Sequence, residues 1–337
     1  MKPRWIIDMA RLAWLLLILL LTALNPAGAT PNLPPLYHQV VGGEEIHEVR
    51  AKETLNRIAL EKGLKWTALA RRNGLKKPYR LKAGMELQLN TTHIVPAELS
   101  DGLVINLPEL CLYYFVNGVY IRRYALAVGK PSWPTPTGTF KISEKRLNPT
   151  WNVPESIQEE MDEQGLEVIE RVPPGPKNPL GKFWMGTTAS GVGIHATNRP
   201  WSVGYFVSHG CIRMLPDEIS QLYPQIKVGT PVKIIYRPIK LALTHEGRIF
   251  LEANPNIYKR KFNALEYVKE LAQYYRLADR IDWDKVQPIL KAREGIAQDV
   301  TQGPPRPDFS PPPAPRDSAS PREVRLSPLH GQEPKLE

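Results

Sequence analysis

The sequence predicts a mainly β protein in several modules. A β-rich central domain carrying a short helix follows a small α+β unit of βααβ order, and a hairpin with two helices comes after it. Three observations carry this expectation. From Asp101 onward, short runs rich in Val, Ile, Tyr and Phe recur between turn signals. Upstream, Leu55, Ile58 and Ala59 share one helical face, while Leu87 and Leu89 alternate as in a strand. Downstream, His245-Glu246-Gly247-Arg248 separates two apolar runs, and two stretches of helical periodicity follow.

In chain order, residues 1–29 read as a secretory signal. Lys2, Arg4 and Arg11 precede an apolar stretch over 12–24, and Ala27-Gly28-Ala29 supplies small residues for cleavage. The stretch is short against the roughly 20 residues of a membrane span, although Trp5, Ile6 and Ile7 would lengthen it if the signal stays uncleaved as an anchor. Residues 30–44 form a linker, Pro-rich and polar at its start. In residues 45–90, Thr54 is placed to cap the first helix, and Trp66 and Leu69 face inward from the second. The central domain spans 101–237. Its strands cover 103–107, 111–116 and 119–128, with Asn117-Gly118 as a hairpin turn and a closing strand over 232–236. Pro216, Asp217 and Glu218 open a helix over 215–223. In residues 238–300, Leu265, Val268, Leu271, Ala272 and Tyr275 form one helical face, and Asp282 caps a second helix bent by Pro288. Residues 301–337 are dense in Pro with almost no large apolar side chains, and are expected to be a disordered tail.

Charge and cysteine count narrow the function classes. The chain of 337 residues carries a formal +10, and losing Lys2, Arg4, Arg11 and Asp8 with the signal leaves +8. A basic exported protein associates with envelope polyanions, or simply stays soluble by its charge. Nucleic acid is excluded as a partner, since no basic helix, zinc spacing or aromatic RNA-binding motif accompanies the charge. The two cysteines, Cys111 and Cys211, lie in an oxidising compartment. The favoured reading is a buried free thiol at Cys111, with a regulatory Cys111–Cys211 bridge as the alternative.

The chemistry concentrates in Ser208-His209-Gly210-Cys211-Ile212-Arg213 and in Gly193-Ile194-His195-Ala196-Thr197-Asn198. A thiol beside imidazoles suits nucleophilic catalysis, because the thiol must lose its proton before it attacks. Gly210 lets backbone N–H groups approach an oxyanion. The competing reading is a buried Cys with incidental histidines. Placing Cys211 ahead of the 215–223 helix offers a helix N-terminus to stabilise negative charge on sulfur. His195, His209 and Cys211 have no matching ligand cluster elsewhere, so neither a metal nor another cofactor is expected.

With Ile105-Asn106-Leu107-Pro108, Pro136-Thr137-Gly138-Thr139-Phe140 and Pro174-Gly175-Pro176-Lys177-Asn178-Pro179-Leu180-Gly181, these motifs resemble the L,D-transpeptidase (YkuD) catalytic domain, in its ErfK/YbiS/YcfS/YnhG group. Cys111 stands in the first strand where a polar or basic residue is expected. The resemblance implies a β-sandwich-like fold for this domain, Cys211 as nucleophile, His195 as proton donor and acceptor, the Ala196 carbonyl as its tautomer-holding partner, and His209 as a supporting residue. Amides at Gly210 and Cys211 are candidates for the oxyanion hole, while Ser208, Arg213, Asn198 and Tyr205 are candidates for substrate contact, with Trp201 beside them. Residues His47-Glu48-Val49, Glu53-Thr54-Leu55, Ile58-Ala59, Leu69, Asn73 and 81–89 resemble a LysM domain, with Ala51-Lys52-Glu53 in place of the usual Gly-Asp turn.

Together these resemblances imply an exported enzyme of the periplasm or cell envelope. It would transfer an acyl group from a peptidoglycan tetrapeptide stem to an amine, either a second stem, giving 3-3 cross-links, or a lipoprotein with a C-terminal Lys. Its partners would be stem peptides and glycan strands, with membrane contact only through an uncleaved signal. Two alternatives stay open: an L,D-carboxypeptidase or lipoprotein-releasing hydrolase using the same acyl-enzyme, and a non-catalytic glycan-binding scaffold.

Overall fold

A computed structural model describes residues 33–261 and 263–311. The signal reading and the tail beyond 311 lie outside the described residues. No described helix is long and apolar enough to cross a membrane.

The first strand, β1 (Val40–Val41), comes from the segment expected to be a linker, and it is not a free spacer. It pairs with β4 (His93–Ile94), and Tyr37 bridges to Ala242 with only 3% of its surface exposed. The apolar residues Leu36, Tyr37, Val40 and Val41 find cover on the body of the protein, which outweighs the polar start of the segment.

The βααβ unit forms as expected. Strand β2 (Glu44–Glu48) pairs antiparallel with β3 (Glu86–Asn90), and helices α1 (Leu55–Glu61) and α2 (Trp66–Arg72) pack on them. Thr54 caps α1 by accepting from the Arg57 amide at 3.2 Å. Leu55, Ile58, Ala59, Leu69, Leu87 and Leu89 make its core, and Trp66 packs at its edge. Strand β4 (His93–Ile94) then leads into the central domain.

Strands β5 (Gly102–Asn106), β6 (Cys111–Val116), β7 (Val119–Gly129) and β8 (Gly138–Leu147) open a nine-stranded sheet. A long excursion follows, with β9 (Trp151–Asn152), helix α3 (Glu155–Glu163) and β10 (Arg171–Val172). The sheet resumes with β11 (Phe183–Thr187), β12 (Gly193–His195), β13 (Phe206–Ser208) and β14 (Ile212–Met214), then helix α4 (Pro216–Leu222) and strand β15 (Pro231–Ile235). The sheet order is β13-β7-β14-β12-β11-β8-β15-β5-β6, and β7 also pairs with β6. The first half of β7 serves β6 and its second half serves β14, so the sheet closes on itself. Leu103, Ile105, Leu126, Ile142, Ile194, Ile212 and Val232 converge on one core, sealed by Ile219 and Leu222 of α4.

The C-terminal module holds the hairpin β16 (Ile239–Leu243) and β17 (Ile249–Ala253), helices α5 (Ala264–Tyr274) and α6 (Trp283–Ala292), and β18 (Gln298–Asp299), which adds to β17. Asp282 caps α6 through the Asp284 amide, and the helix runs through Pro288. The start of the expected tail is held rather than loose. Thr301 receives the Ile249 amide at 2.8 Å, and the Phe309 ring lies 4.3 Å from the Arg280 guanidinium. Arg280 is buried and its surroundings supply partners there, which the Pro-rich composition does not reveal.

Candidate active site

Strands β12 and β14 run parallel, with Ile194 opposite Ile212 and His195 opposite Arg213. Continuing that register back by two residues sets Cys211 beside Gly193. His195 and Cys211 therefore lie on the same face, about 7 Å apart along the strand direction. The Cys211 thiol donates to the Gly191 carbonyl at 3.3 Å. Burial pushes the thiol up, opposed by a backbone hydrogen bond from Gly193 and by the positive charge of Arg213. The His195 imidazole is 3% exposed. Burial lowers it to about 4, helped by Arg213 and opposed by the carbonyls of Ala196 and Leu180. Its Nδ1 lies 2.5 Å from the Ala196 oxygen, which fixes the proton on Nδ1 and leaves Nε2 as the acceptor. Both groups are therefore neutral near pH 7.

The turn before Cys211 is built from several directions. Gly210 sits at φ +107, a conformation that side chains rarely adopt. Its carbonyl accepts from Thr135 Oγ1 at 2.8 Å, and Thr135 Oγ1 in turn accepts the Gly129 amide at 2.9 Å. Tyr258, from the C-terminal module, donates to the Gly129 carbonyl at 2.8 Å and stacks on Tyr236. Ser208, expected to touch substrate, is 1% exposed. Its hydroxyl donates to the Cys211 carbonyl at 2.5 Å and accepts the Gly210 amide at 3.3 Å. It shapes the turn, because a serine hydroxyl this close to the backbone closes a local ring. The Gly210 amide is thereby engaged, which leaves the Cys211 amide as the better oxyanion donor of the two.

His209 points away from this chemistry. Its Nε2 lies 2.5 Å from Glu160 on α3 and 3.2 Å from Lys130, and its ring meets Trp133 edge-on at 5.0 Å. The expected helix-terminus effect on sulfur is absent. Strand β14 intervenes, so α4 begins five residues after Cys211, and an extended chain of that length spans roughly 16 Å.

Cys211 opens into a cavity of about 300 Å³ that also takes in Glu144, Arg146, Trp151, Trp184 and Gly191. Sequence reasoning missed these residues. Trp184 pairs with His195 across β11 and β12, with ring centroids 5.8 Å apart, and its Nε1 donates to Glu144 at 2.9 Å. Reading residues 183–195 as a hairpin would have set the tryptophan opposite the histidine. Gly193 makes room for it, since a Cβ there would sit 2.3 Å from the indole. Tyr205, Trp201 and Arg213 line a different depression, while the Asn198 amide nitrogen donates to the Lys177 carbonyl at 2.9 Å. Cys111 is a buried free thiol in β6, pushed up to about 12 by desolvation. Among the described residues no cluster of three or more His, Cys, Asp or Glu side chains is placed to hold a metal.

The family model for the L,D-transpeptidase catalytic domain matches residues 100–234, and that for the LysM domain matches residues 47–90. The Escherichia coli (strain K12) protein named "Probable L,D-transpeptidase YcfS" is 31% identical over 288 residues, which cover 82% of this chain and 90% of that protein. "Probable L,D-transpeptidase ErfK/SrfK" of the same strain is 26% identical over 300 residues, covering 85% of this chain and 95% of its own length. The solved catalytic domain of an E. faecium L,D-transpeptidase is 24% identical, with a TM-score of 0.33, over 41% of this chain and 99% of that one. A match to YcfS at 31% identity, over 82% of this chain and 90% of that one, establishes the family: the chain belongs to the L,D-transpeptidases.

Proposed function

We propose that this peptidoglycan L,D-transpeptidase works by a two-step acyl transfer in which Cys211 is the nucleophile and His195 the proton carrier. The observation that carries this reading is the parallel pairing of β12 with β14, which brings a neutral imidazole and a thiol to one face. The thiol gives its proton to His195 Nε2 as sulfur attacks the carbonyl of the third stem residue, meso-diaminopimelate in the family. The tetrahedral oxyanion is met by the Cys211 amide. When the intermediate collapses, the bond to the terminal D-Ala breaks and its amine leaves with the proton held by His195. An acceptor amine then gives a proton to the imidazole and attacks the thioester, and Cys211 recovers its proton as it departs. Amines compete well with water for thioesters when held in attack geometry, so transfer prevails over hydrolysis. The walls of the Cys211 cavity, Arg146 and Trp184 among them, are the donor's surroundings.

The enzyme acts in the cell envelope, where its substrate lies, and its acceptors are stem peptides or the C-terminal Lys of a lipoprotein. The test is to incubate pure protein with sacculi, with and without such a lipoprotein, and to analyse muropeptides by mass spectrometry. Dimers joined through two diaminopimelates are expected, and they vanish in Cys211→Ala. Tripeptides alone would establish hydrolysis instead, and unchanged stems would overturn the enzymatic reading.

A further inference from the structure

The Gly210 carbonyl and the Cys211 amide belong to one peptide unit. Such a unit is planar, with its C=O and N–H pointing opposite ways, so whatever anchors the oxygen also aims the hydrogen. Glycine makes an outside anchor necessary here. Gly210 has no side chain to pack, and at φ +107 its own covalent structure does not stop the unit from turning over.

The anchor is Thr135, which is 2% exposed. A threonine hydroxyl has a single proton to give. Because the Gly129 amide engages that oxygen as an acceptor at 2.9 Å, the proton goes to the Gly210 carbonyl at 2.8 Å. The same loop grips the turn a second time, since the Lys130 amide donates to the Ser208 carbonyl at 2.9 Å. Its backbone is stiff by sequence: in Trp133-Pro134-Thr135-Pro136 the first proline has a fixed φ, and the second keeps Thr135 out of the helical region. Tyr258 closes the loop from behind. Its hydroxyl donates to the Gly129 carbonyl at 2.8 Å and accepts the Thr135 amide at 3.2 Å. That ring is itself held, stacked on Tyr236 at 5.3 Å, with its own amide donating to the Tyr236 hydroxyl at 2.9 Å. Neither Thr135 nor Tyr258 lines the Cys211 cavity.

We propose that Thr135, with Tyr258 behind it, is a positioning residue for the oxyanion donor. It holds the plane of the Gly210–Cys211 peptide so that the Cys211 N–H faces the cavity, where a substrate carbonyl oxygen gains charge. This rests on the transpeptidase reading, in which the Cys211 amide meets that oxygen.

The test compares two reactions of Cys211 in the full chain. In acylation by a carbapenem, sulfur bonds to the lactam carbonyl carbon and its oxygen becomes an anion; the ring C–N bond then opens, and the thiol proton passes through His195 to the ring nitrogen. In alkylation by iodoacetamide, sulfur displaces iodide from a saturated carbon and no oxyanion forms. Thr135→Val removes the hydroxyl and keeps the branched shape. Acylation is expected to slow by about 10²-fold, as on losing one oxyanion donor, while alkylation keeps the parent's rate. Thr135→Ser, which retains the hydroxyl, should restore acylation. Tyr258→Phe leaves Thr135 in place and should slow acylation by about tenfold, the effect of a small misplacement. Melting temperatures identify the folded variants, and rates are read well below them; if Thr135→Val does not fold, Tyr258→Phe carries the test. Acylation at the parent's rate in the folded variant overturns the proposal. An equal fall in both reactions overturns it too, because the hydroxyl would then support the thiol or the fold rather than the donor. A parent chain that forms no adduct at Cys211 overturns the catalytic reading and the proposal with it, whereas an adduct there confines a failure to the positioning role.

Discussion

Acidification distinguishes a buried general base from an ordinary histidine. Burial takes His195 from the usual 6.5 to about 4, so placing a proton on it costs about 3.4 kcal/mol more than in water. At pH 5 an imidazole so depressed is about 90% neutral, whereas an unperturbed one is about 3% neutral, a difference near 30-fold in competent enzyme. Single-turnover acylation of Cys211 by a carbapenem, read by rapid-quench mass spectrometry, should hold its plateau rate down to pH 5 and fall through a midpoint near 4. The same shift is a stability term. Because the folded value lies below the unfolded one, the contribution is fully present above 6.5, falls away as pH drops, and is gone below about 4. His93, lowered to about 2 by burial, acts in the same direction, so the comparison must be wild type against His195→Asn at each pH. Replacing Arg213 by Gln removes the like charge and should move the acylation midpoint upward. A wild-type limb centred near 6.5 would refute the buried-base argument outright.

Two further outcomes are expected. Gly193→Ala drives a methyl into the Trp184 indole, which stands beside His195, so it should cost about 1–3 kcal/mol of stability and lower the acylation rate as well. Thermal melts together with the acylation assay check this, and a variant unchanged in both would show that Trp184 is not fixed by Gly193. Glu218, on α4, is pushed up to about 7 by burial despite Arg122 at 3.6 Å, so its contribution is present below pH 4.5 and lost as pH rises past 7. Denaturant melts of Glu218→Gln at pH 5 and pH 8 should show the variant gaining stability relative to wild type at the higher pH, by up to ~3 kcal/mol. A gain independent of pH would disprove the buried-carboxylate account.

Cys211 and His195 were legible because their chemistry is written in two short motifs, and the strands were legible because alternating apolar runs and Asn117-Gly118 are local signals. Their neighbours were not, because pairing partners come from distant segments. Trp184 reaches His195 only through the β11–β12 ladder, and Thr135 reaches Gly210 across 75 residues. Helix α3 escaped notice for a different reason: none of its residues is buried, and Ile157 and Met161 alone make too short an apolar stripe to betray its period. Ser208 stands among the candidates for substrate contact by its place in the motif, and its hydrogen bonds within the turn come only with the folded chain. Arg213 is, from the sequence, a candidate either to bind a substrate carboxylate or to brace the loop, and its side chain lines the depression shared with Trp201 and Tyr205.

The physical unit that holds the active site is larger than the segment that carries the catalytic motifs. Lys240 on β16 is fully buried and pairs with Glu109 at 2.5 Å and with Glu252 at 3.1 Å, while its Nζ donates to the Ile94 carbonyl. Removing that ammonium leaves two buried carboxylates without their counter-charge, a cost of roughly 3–5 kcal/mol. That single ammonium joins the turn after β5, the strand β4 and the C-terminal hairpin. Tyr258, from the same C-terminal module, fixes Gly129 and Thr135, and through them the Gly210 carbonyl one residue before the thiol. A chain ended at the close of β15 would keep Cys211, His195 and their strand register, yet lose the support that holds the turn. Through these bonds the C-terminal module reaches the turn that carries Cys211.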